Sequence, residues 1–522
     1  MPAEFPRRPA RRGLSRTQLR IIALALGAAT VPGFAPFGVF PLCLFTLAGL
    51  QLLWNRCGNT REAAAIGFAF GLGLFLAGVS WVYVSLYDFG NMAWPLAAGF
   101  TLLFCMYLAC FPALAGALLR RCPASSGMRS VLLFPALWAF SEWFRGWFLS
   151  GFPWLAVGYS QVPASPLAGF APVLGVFGVS LVTAMTAGAV AWLAEEKILA
   201  RPKSSDGSAG PFPWAAATIL IGMPILGAGL QRVEWTRPLP GDPITVALVQ
   251  GNITQDLKWR PEQAAATLDT YAKLVRGSQA ALIVLPETAL PMFDVDVPKP
   301  YLDALAAHAR QHRGDILLGV PELDPDRRYY NSVLSLGTSV NPPYRKVHLV
   351  PFGDYFPLRP VLGWVMKLMD IPMSGFSPGE KSQRPMQVAG QKVAVNICYE
   401  DAFGEEIIDQ LPEAALLANF TNDAWWGKSI ASRQHLQIAQ MRALETGRPM
   451  LRATNTGVSA IIGPNGKIVA AAPEFVTTTL SGTVQGYQGA TPYVRMGNFG
   501  FCAIAGLMLA AGLSRRRSPR SA

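Results

Sequence analysis

The sequence predicts a multi-span α-helical membrane bundle joined to an α/β domain, and two observations favour this fold class. Apolar residues make up 51% of the 522 residues and charged residues 15%, an apolar excess that is typical of membrane proteins. The net charge of +12 is also unevenly distributed: residues 231–486 carry 24 Lys+Arg against 25 Asp+Glu, whereas the rest of the chain carries 20 against 7. The basic excess therefore belongs to the apolar part, where basic loops fix membrane orientation, and we expect no nucleic-acid partner.

Seven apolar runs precede the polar region, and each is long enough, or nearly so, to cross a bilayer. They cover about 18–35, 38–54, 63–84, 92–118, 131–150, 167–194 and 212–230, and an eighth run covers about 495–513. Basic residues cluster after the second, fourth, sixth and eighth runs, and the positive-inside rule makes that side cytoplasmic. The predicted organisation is a cytoplasmic basic N-terminus (1–17), a membrane domain of seven spans (18–230), an extracytoplasmic domain (231–486), an eighth span (495–513) and a cytoplasmic basic tail (514–522).

From Asp242 onwards, short β-rich runs alternate with helical patterns. The strand-like runs are continuously apolar, which indicates strands that are covered on both faces. They are ITVALVQ, ALIVLPE, DILLGVPE, NSVLSLG, KVAVNICYE, AALLANFTN, PMLRATNTG and VSAIIGPNGKIV, the last with PNGK as a hairpin turn. Helical patterns cover 261–277, 299–313 and 431–446. This alternation predicts a layered α/β domain.

Three reactive side chains follow predicted strands: Glu287 in LPETA, Lys346 in YRKVH and Cys398 in NICYED. A thiol that attacks an acyl carbonyl needs a base, which Glu287 can supply. A fixed ammonium such as Lys346 can stabilise the resulting oxyanion, and a nearby cation is also expected to lower the thiol pKa. Cys398 is the only cysteine of residues 231–486, so it has no disulfide partner within that domain. These residues indicate thiol-based acyl chemistry.

Two of the four histidines leave a pairing of the thiol with a histidine open, and the other two argue against a metal site. His348 and His435 are possible partners of the thiol, and in an extended strand residue 348 points the same way as Lys346. His308 and His312 have helical spacing but lack the Glu of an HExxH motif. We therefore expect no metal.

The fifth apolar run contains two charged residues, Glu142 and Arg145, in SEWFRGW. Charges within a membrane are costly and usually functional. The alternative is an i,i+3 ion pair that stabilises the end of the helix. Both interpretations stay open at this point.

Six motifs resemble those of the apolipoprotein N-acyltransferase family, the membrane-bound branch of the nitrilase superfamily. They are SEWFRGWFLSGFPW, LVQGNITQDLKW, LPETALP, YRKVHLVPFGDYFPL, NICYED and FTNDAWWG, and the resemblance covers essentially the whole chain. It implies an αββα sandwich for the polar domain, with Glu287 as general base, Lys346 as stabiliser of the intermediates and Cys398 as the acylated nucleophile.

The resemblance also implies a supporting set and a reaction. Trp259, Tyr399 and Glu400 match positions in or near the pocket, and Asp354 stands where the family usually has Glu. The implied enzyme transfers an acyl chain from a membrane phospholipid, through a Cys thioester, to the N-terminal amino group of diacylglyceryl-cysteine in an apolipoprotein. It needs no cofactor, acts as a monomer and lies in the bacterial inner membrane, with its catalytic domain on the periplasmic side.

Two apolar features complete the candidate site. Residues 355–376 are unusually apolar for an external loop, which predicts an amphipathic arm over the site; a short buried helix is the alternative. Trp425, next to Trp426 in DAWWG, is expected to line the pocket, anchor at the membrane interface or pack in the core.

Two other functions fit parts of the sequence. A membrane-anchored amidase or nitrilase-type hydrolase shares Glu287, Lys346 and Cys398, but it needs neither seven spans nor an apolar arm. A transporter with an external regulatory domain fits less well, because the apolar runs contain few ionisable residues.

Overall fold

The computed structural model describes residues 14–198, 214–356 and 375–514. Within these ranges, three helical segments are long and apolar enough to cross a membrane: Thr60–Gly78, Trp94–Arg121 and Pro166–Glu196. Two further apolar helices, Trp214–Leu230 and Phe499–Ser514, are shorter. The arrangement of seven spans and an eighth therefore stays a prediction. Most of the basic N-terminus, most of the predicted arm and nearly all of the basic tail lie outside the described residues.

The N-terminal part is helical. Its helices are α1 Arg16–Ala28, α2 Pro41–Arg56, α3 Thr60–Gly78, α4 Val82–Val84, α5 Trp94–Arg121, α6 Ser126–Met128, α7 Phe134–Arg145, α8 Ala171–Ile198 and α9 Trp214–Leu230. Glycines let α3 lie directly against its neighbours. A Cβ on Gly67 would collide with the Pro112 carbonyl of α5, and one on Gly73 with the Leu24 carbonyl of α1. Small residues at such contacts are how membrane helices pack closely.

The polar part contains two six-stranded sheets, with strand orders β13-β2-β3-β4-β5-β6 and β12-β11-β10-β9-β8-β7. A separate pair joins β1 to β14. The strands are β1 Thr236–Pro238, β2 Ile244–Gln250, β3 Leu282–Val284, β4 Asp315–Leu323, β5 Tyr329–Gly337, β6 Tyr344–Arg345, β7 Met386–Val388, β8 Gln391–Ile397, β9 Leu416–Thr421, β10 Met450–Thr454, β11 Ala460–Ile462, β12 Ile468–Ala471, β13 Thr478–Val484 and β14 Tyr487–Gly489.

The remaining helices are α10 Gln255–Lys258, α11 Pro261–Arg276, α12 Lys299–Gln311, α13 Gly404–Ile408, α14 Ala431–Thr446, α15 Pro492–Met496 and α16 Phe499–Ser514. The two sheets face each other through an apolar core that includes Val246, Leu317, Val395 and Phe420. On the outer faces, α11 and α12 cover the first sheet and α14 covers the second. The predicted αββα sandwich, the eight predicted strand runs and the three predicted helices of this part are confirmed.

Helix α14 joins the sandwich to the membrane bundle. Its composition is largely polar, yet every side chain except those of Arg433 and Leu444 is buried. The polar groups are satisfied across the joint: the Gln434 Oε1 accepts from the indole N–H groups of Trp81 and Trp154, at 3.2 and 2.7 Å. A buried polar helix of this kind is held by specific hydrogen bonds rather than by an apolar stripe.

Candidate active site

Cys398 is the first residue after β8 and begins a 3₁₀ turn, Cys398–Ala402. Its φ of +53° lies in the left-handed region, which non-glycine residues rarely adopt and which recurs at functional sites. The half-buried side chain packs against both the core between the sheets and the apolar cluster of the membrane bundle. The candidate nucleophile therefore lies where the two parts of the molecule meet.

The Glu287 carboxylate, just beyond β3, is held by three donors. Its Oε1 accepts from the Asn331 amide at 2.7 Å and lies 3.3 Å from the Lys346 Nζ. Its Oε2 accepts from the Asn422 backbone N–H at 3.0 Å. With the side chain almost fully buried, these contacts fix the orientation of the carboxylate, as a general base requires.

Lys346 is fully buried between two carboxylates. Its Nζ lies 2.8 Å from the Asp354 Oδ2 and 3.3 Å from the Glu287 Oε1. Burial lowers the pKa of the amine, but Asp354 and Glu287 outweigh burial and raise that pKa above its ordinary value, so the ammonium persists. Asp354 is itself fixed by the Val350 backbone N–H at 2.8 Å. The structure thus brings Glu287, Lys346 and Asp354 together.

The surroundings of Cys398 favour the protonated form of its thiol. Burial raises its pKa well above the ordinary value, and the Glu287 charge raises it further. Lys346 and a hydrogen bond with the Thr421 side chain act in the opposite direction but do not compensate. The expected effect of the cation is present, since Lys346 lowers the thiol pKa, but desolvation outweighs it. A base must remove the proton during the reaction.

Neither candidate histidine is placed as that base. The ring nitrogens of His435 lie 3.0 Å from Asp423 and 2.9 Å from Asp401. Burial and the neighbouring Arg452 lower the pKa of His435, but the two carboxylates outweigh them and raise it, so the ring has no free basic nitrogen. The ring of His348 stacks on Phe403 and bridges the Glu406 carboxylate and the Ser150 carbonyl.

Glu400 connects the nucleophile to the lysine segment. One oxygen accepts from the backbone N–H groups of Val347 and His348, at 2.5 and 3.1 Å. The other accepts from the Ile397 N–H at 2.6 Å and the Tyr344 hydroxyl at 3.0 Å. Burial raises the pKa of Glu400 to about 7. Glu400 therefore ties the Cys398 turn to the segment that carries Lys346.

Tyr399 points away from the Glu287 cluster, towards the membrane bundle. Its hydroxyl donates to the Gly151 carbonyl at 3.0 Å, and its ring stacks on Phe152 and Trp154. Arg145 holds the same loop by donating to the Phe152 and Trp154 carbonyls, each at 2.6 Å. The charged residue in α7 therefore shapes the surface on which the nucleophile turn rests.

Glu142 also binds the loop that follows α7. It accepts from the Trp138 indole N–H and from the Val157 backbone N–H, each at 2.9 Å. Both Glu142 and Arg145 are buried, and they do not form the i,i+3 ion pair that was one interpretation of the sequence. That interpretation is wrong, because each side chain is used to satisfy backbone groups instead.

The two remaining aromatic candidates have different surroundings. The Trp425 carbonyl accepts from the Ser85 hydroxyl at 2.8 Å, and its ring packs edge-on against Phe89. Trp425 therefore lies at the contact between the sandwich and the membrane bundle. Trp259 is half-buried and ends α10.

Three residues that contact Glu287 were not predicted as site residues from the sequence. The Lys258 Nζ donates to the Glu287 carbonyl at 3.2 Å, and the Asn331 and Asn422 contacts orient the carboxylate of the same residue. Lys258 adjoins Trp259 in a motif that was recognised, so proximity in sequence was the available signal. Asparagines after strands are too common in turns to stand out. Within the described ranges, no group of three or more His, Cys, Asp or Glu side chains is arranged to hold a metal ion.

Comparisons with known proteins cover both parts of the chain. The family model for carbon-nitrogen hydrolases matches residues 245–493, and that for the apolipoprotein N-acyltransferase N-terminal domain matches residues 26–189. A protein of Nitrosomonas europaea named apolipoprotein N-acyltransferase is 53% identical over 498 residues, covering 94% of this chain and 96% of the relative.

Two further relatives carry the same name. That of Methylococcus capsulatus is 45% identical, over 96% of this chain and 97% of its own. The relative from Chromobacterium violaceum is 44% identical, over 98% of this chain and 97% of its own length. Together with the long apolar helices, these relatives identify a membrane-associated enzyme that modifies lipoproteins. The chain belongs to the apolipoprotein N-acyltransferase family.

Proposed function

We propose that Cys398 takes an acyl chain from a membrane phospholipid and passes it to the α-amino group of diacylglyceryl-cysteine at the N-terminus of an apolipoprotein. One observation carries this proposal: the Cys398 side chain packs against both the sandwich core and the membrane bundle. Acyl chains are costly to expose to water, so a nucleophile at this joint can meet a lipid ester without drawing it far from the bilayer.

The first half-reaction forms a thioester. Glu287 takes the thiol proton as the Cys398 sulfur attacks the ester carbonyl, and the buried Lys346 ammonium stabilises the oxyanion of the tetrahedral intermediate. Collapse of the intermediate breaks the ester C–O bond, and the proton held by Glu287 passes to the departing alkoxide. The products are the acyl-enzyme and a lysophospholipid.

The second half-reaction forms an amide. The neutral amine of the acceptor attacks the thioester carbonyl, Glu287 accepts a proton from the nitrogen, and the C–S bond breaks. The proton returns to the sulfur and restores the resting thiol. Conversion of a thioester to an amide is downhill, so neither nucleotide nor metal is required.

The supporting residues have positioning roles in this proposal. Asp354 and Glu400 hold the Lys346 segment, whereas Glu142 and Arg145 shape the loop under Tyr399. Trp259, which follows α10, and Trp425, at the joint between the two parts of the molecule, are proposed as pocket residues.

The proposed location is the bacterial inner membrane, with the sandwich on the periplasmic side. Basic clusters after alternate apolar runs support this orientation. We further propose that the enzyme acts as a monomer.

The central test compares Cys398→Ala and Cys398→Ser with Cys110→Ala, a substitution of an exposed thiol far along the chain. In proteoliposomes with a diacylated lipopeptide, we expect both Cys398 variants to lose at least about 1000-fold of N-acylation, whereas the Cys110 variant stays near wild type. Retained N-acylation without the Cys398 thiol would overturn the mechanism.

Mass spectrometry of wild-type enzyme incubated with phospholipid alone identifies the intermediate. We expect a long-chain acyl adduct on the peptide that contains Cys398. A small acyl adduct from a soluble amide, with none from phospholipid, would instead favour the membrane-anchored amidase.

The predicted arm is tested separately. Replacing Trp364, Met366 and Leu368 with Ser should impair acylation by phospholipid, because these apolar side chains are proposed to enter the membrane interface. Circular dichroism should show an unchanged fold. Unaltered turnover with phospholipid would reject the arm.

A further inference from the structure

A second buried ammonium lies beside the proposed base. The side chain of Lys258, at the end of α10, is 3% exposed, and its Nζ donates to the Glu287 carbonyl oxygen at 3.2 Å. Its charge acts on two groups, the Glu287 carboxylate and the Cys398 thiol. Buried lysines are rare unless their charge has a partner or a use.

The charges around Cys398 explain what this second ammonium does. Glu287 and Asp354 are two carboxylates that share the Lys346 ammonium. With Lys346 alone, this group would carry a net charge of −1, which disfavours the creation of a thiolate nearby. Lys258 brings the group to neutrality. It does so from the backbone side of Glu287, away from the Asn331 and Lys346 contacts that engage the carboxylate.

We propose that Lys258 is a positioning residue of this site: its ammonium holds the backbone of Glu287 in place and stabilises the thiolate that forms when Glu287 takes the proton of Cys398. This inference rests on the proposed role of Cys398 as nucleophile.

The same lysine gives the site a pH limit. Burial lowers the pKa of Lys258 to about 8, although Glu287 and Cys398 act in the opposite direction. Lys346 and Asp354 lie beyond Glu287, and Asp423, paired with His435 and Arg452, also acts on the Cys398 thiol. As the pH rises through about 8, Lys258 loses its charge, and the thiolate loses one of its two stabilising cations.

The test uses full-length enzyme and measures alkylation of Cys398 by iodoacetamide as a function of pH, followed by peptide mass spectrometry. Lys258→Met removes the charge at similar volume. We expect alkylation to be about 10-fold slower at pH 7.5, with the profile moved to higher pH by about one unit. The rate of thioester formation with phospholipid should fall in parallel.

Lys258→Arg keeps a cation that does not titrate. We expect its alkylation rate at pH 9 to exceed that of the wild type, because the charge persists above the pKa of the lysine. Lys273→Met, on the exposed face of α11, is the matched control and should leave the profile unchanged. If Lys258→Met fails to fold, the Arg variant alone decides.

An alkylation profile identical to that of the wild type in folded Lys258→Met, or in Lys258→Arg where the Met variant does not fold, overturns the inference. This readout does not depend on lipid chemistry. Failure of the acyltransferase proposal, seen as N-acylation by Cys398→Ala, is therefore distinguishable from failure of the role of Lys258.

Discussion

The carboxylates of Glu287 and Asp354 share the Lys346 ammonium next to the proposed nucleophile. Asp354 lies closer to the Lys346 Nζ than Glu287 does, at 2.8 Å against 3.3 Å. The ammonium is therefore bound chiefly by Asp354, which leaves Glu287 less tightly paired. The closer Asp354 contact therefore fixes the position of the ammonium beside Glu287. Although Asp is one methylene shorter than the Glu usual in the family, its side chain makes the contact here.

The first prediction concerns this carboxylate. Asp354→Asn should slow thioester formation by about 10- to 100-fold, because the Lys346 ammonium would lose its shorter ion pair and with it the position from which it stabilises the oxyanion. Single-turnover acylation with phospholipid, followed by mass spectrometry, measures the rate. Asp354→Glu is the matched control and should retain most of the rate. Equal rates for the Asn variant and the wild type would show that Asp354 does not position Lys346 for the reaction.

At the scale of single elements, the loop after α7 carries the contact between the nucleophile turn and the bundle. Arg145 donates to two carbonyls of this loop, and Tyr399 rests on its aromatic side chains. The Arg145 guanidinium forms hydrogen bonds with this loop, and these contacts make it a proposed structural support for the site.

This gives the second prediction. Arg145→Lys should lower phospholipid-dependent N-acylation by about 10-fold, because the lysine side chain is one bond too short to place its ammonium where the Nη1 of Arg145 binds both carbonyls. Alkylation of Cys398 by iodoacetamide should stay within about threefold of the wild type, since the Glu287 cluster lies within the sandwich. Arg121→Lys, at an exposed helix end, is the control. Equal loss of alkylation and acylation would contradict this separation.

The sequence predicted elements better than it predicted contacts. Long apolar runs such as β4 and the amphipathic helices α11 and α12 were recognisable from periodicity alone. The short edge strand β7 was missed because three residues carry no period.

The candidate site shows the same limit. Glu287, Lys346 and Cys398 were identified because each follows a strand. The state of the thiol and the partners of Glu142 depend on burial and on distant segments, which a linear pattern does not contain. Lys258 was not predicted for the same reason, since its contact with the Glu287 carbonyl forms only in the folded chain.

At the scale of the whole molecule, the sandwich and the bundle share helix α14. Its residues Ile438 and Met441 belong to the apolar cluster of the membrane bundle, whereas Leu436 and Ala439 belong to the outer face of the second sheet. The bundle also donates a hydrogen bond to helix α14, from the Val176 N–H to the Glu445 carboxylate. The sandwich is therefore incomplete without the bundle.

The third prediction follows from this shared helix. A fragment of residues 231–491 should aggregate, because the bundle-facing side of α14 would be exposed. Size-exclusion chromatography and tryptophan fluorescence would compare it with the detergent-solubilised full-length chain, which should be monodisperse. A soluble, monomeric fragment with a cooperative unfolding transition would show that the two parts fold independently.

The position of Cys398 between two packed cores has a kinetic consequence. An acyl-enzyme that waits for a scarce lipoprotein must survive in the presence of water, and exclusion of water depends on how tightly the surrounding surfaces close. On the proposed mechanism, the partition between amide synthesis and wasteful hydrolysis is then set by the joint between sandwich and bundle rather than by Glu287 and Lys346. Loosening that joint would convert the transferase into an enzyme that leaks free fatty acid, at little cost to its first half-reaction.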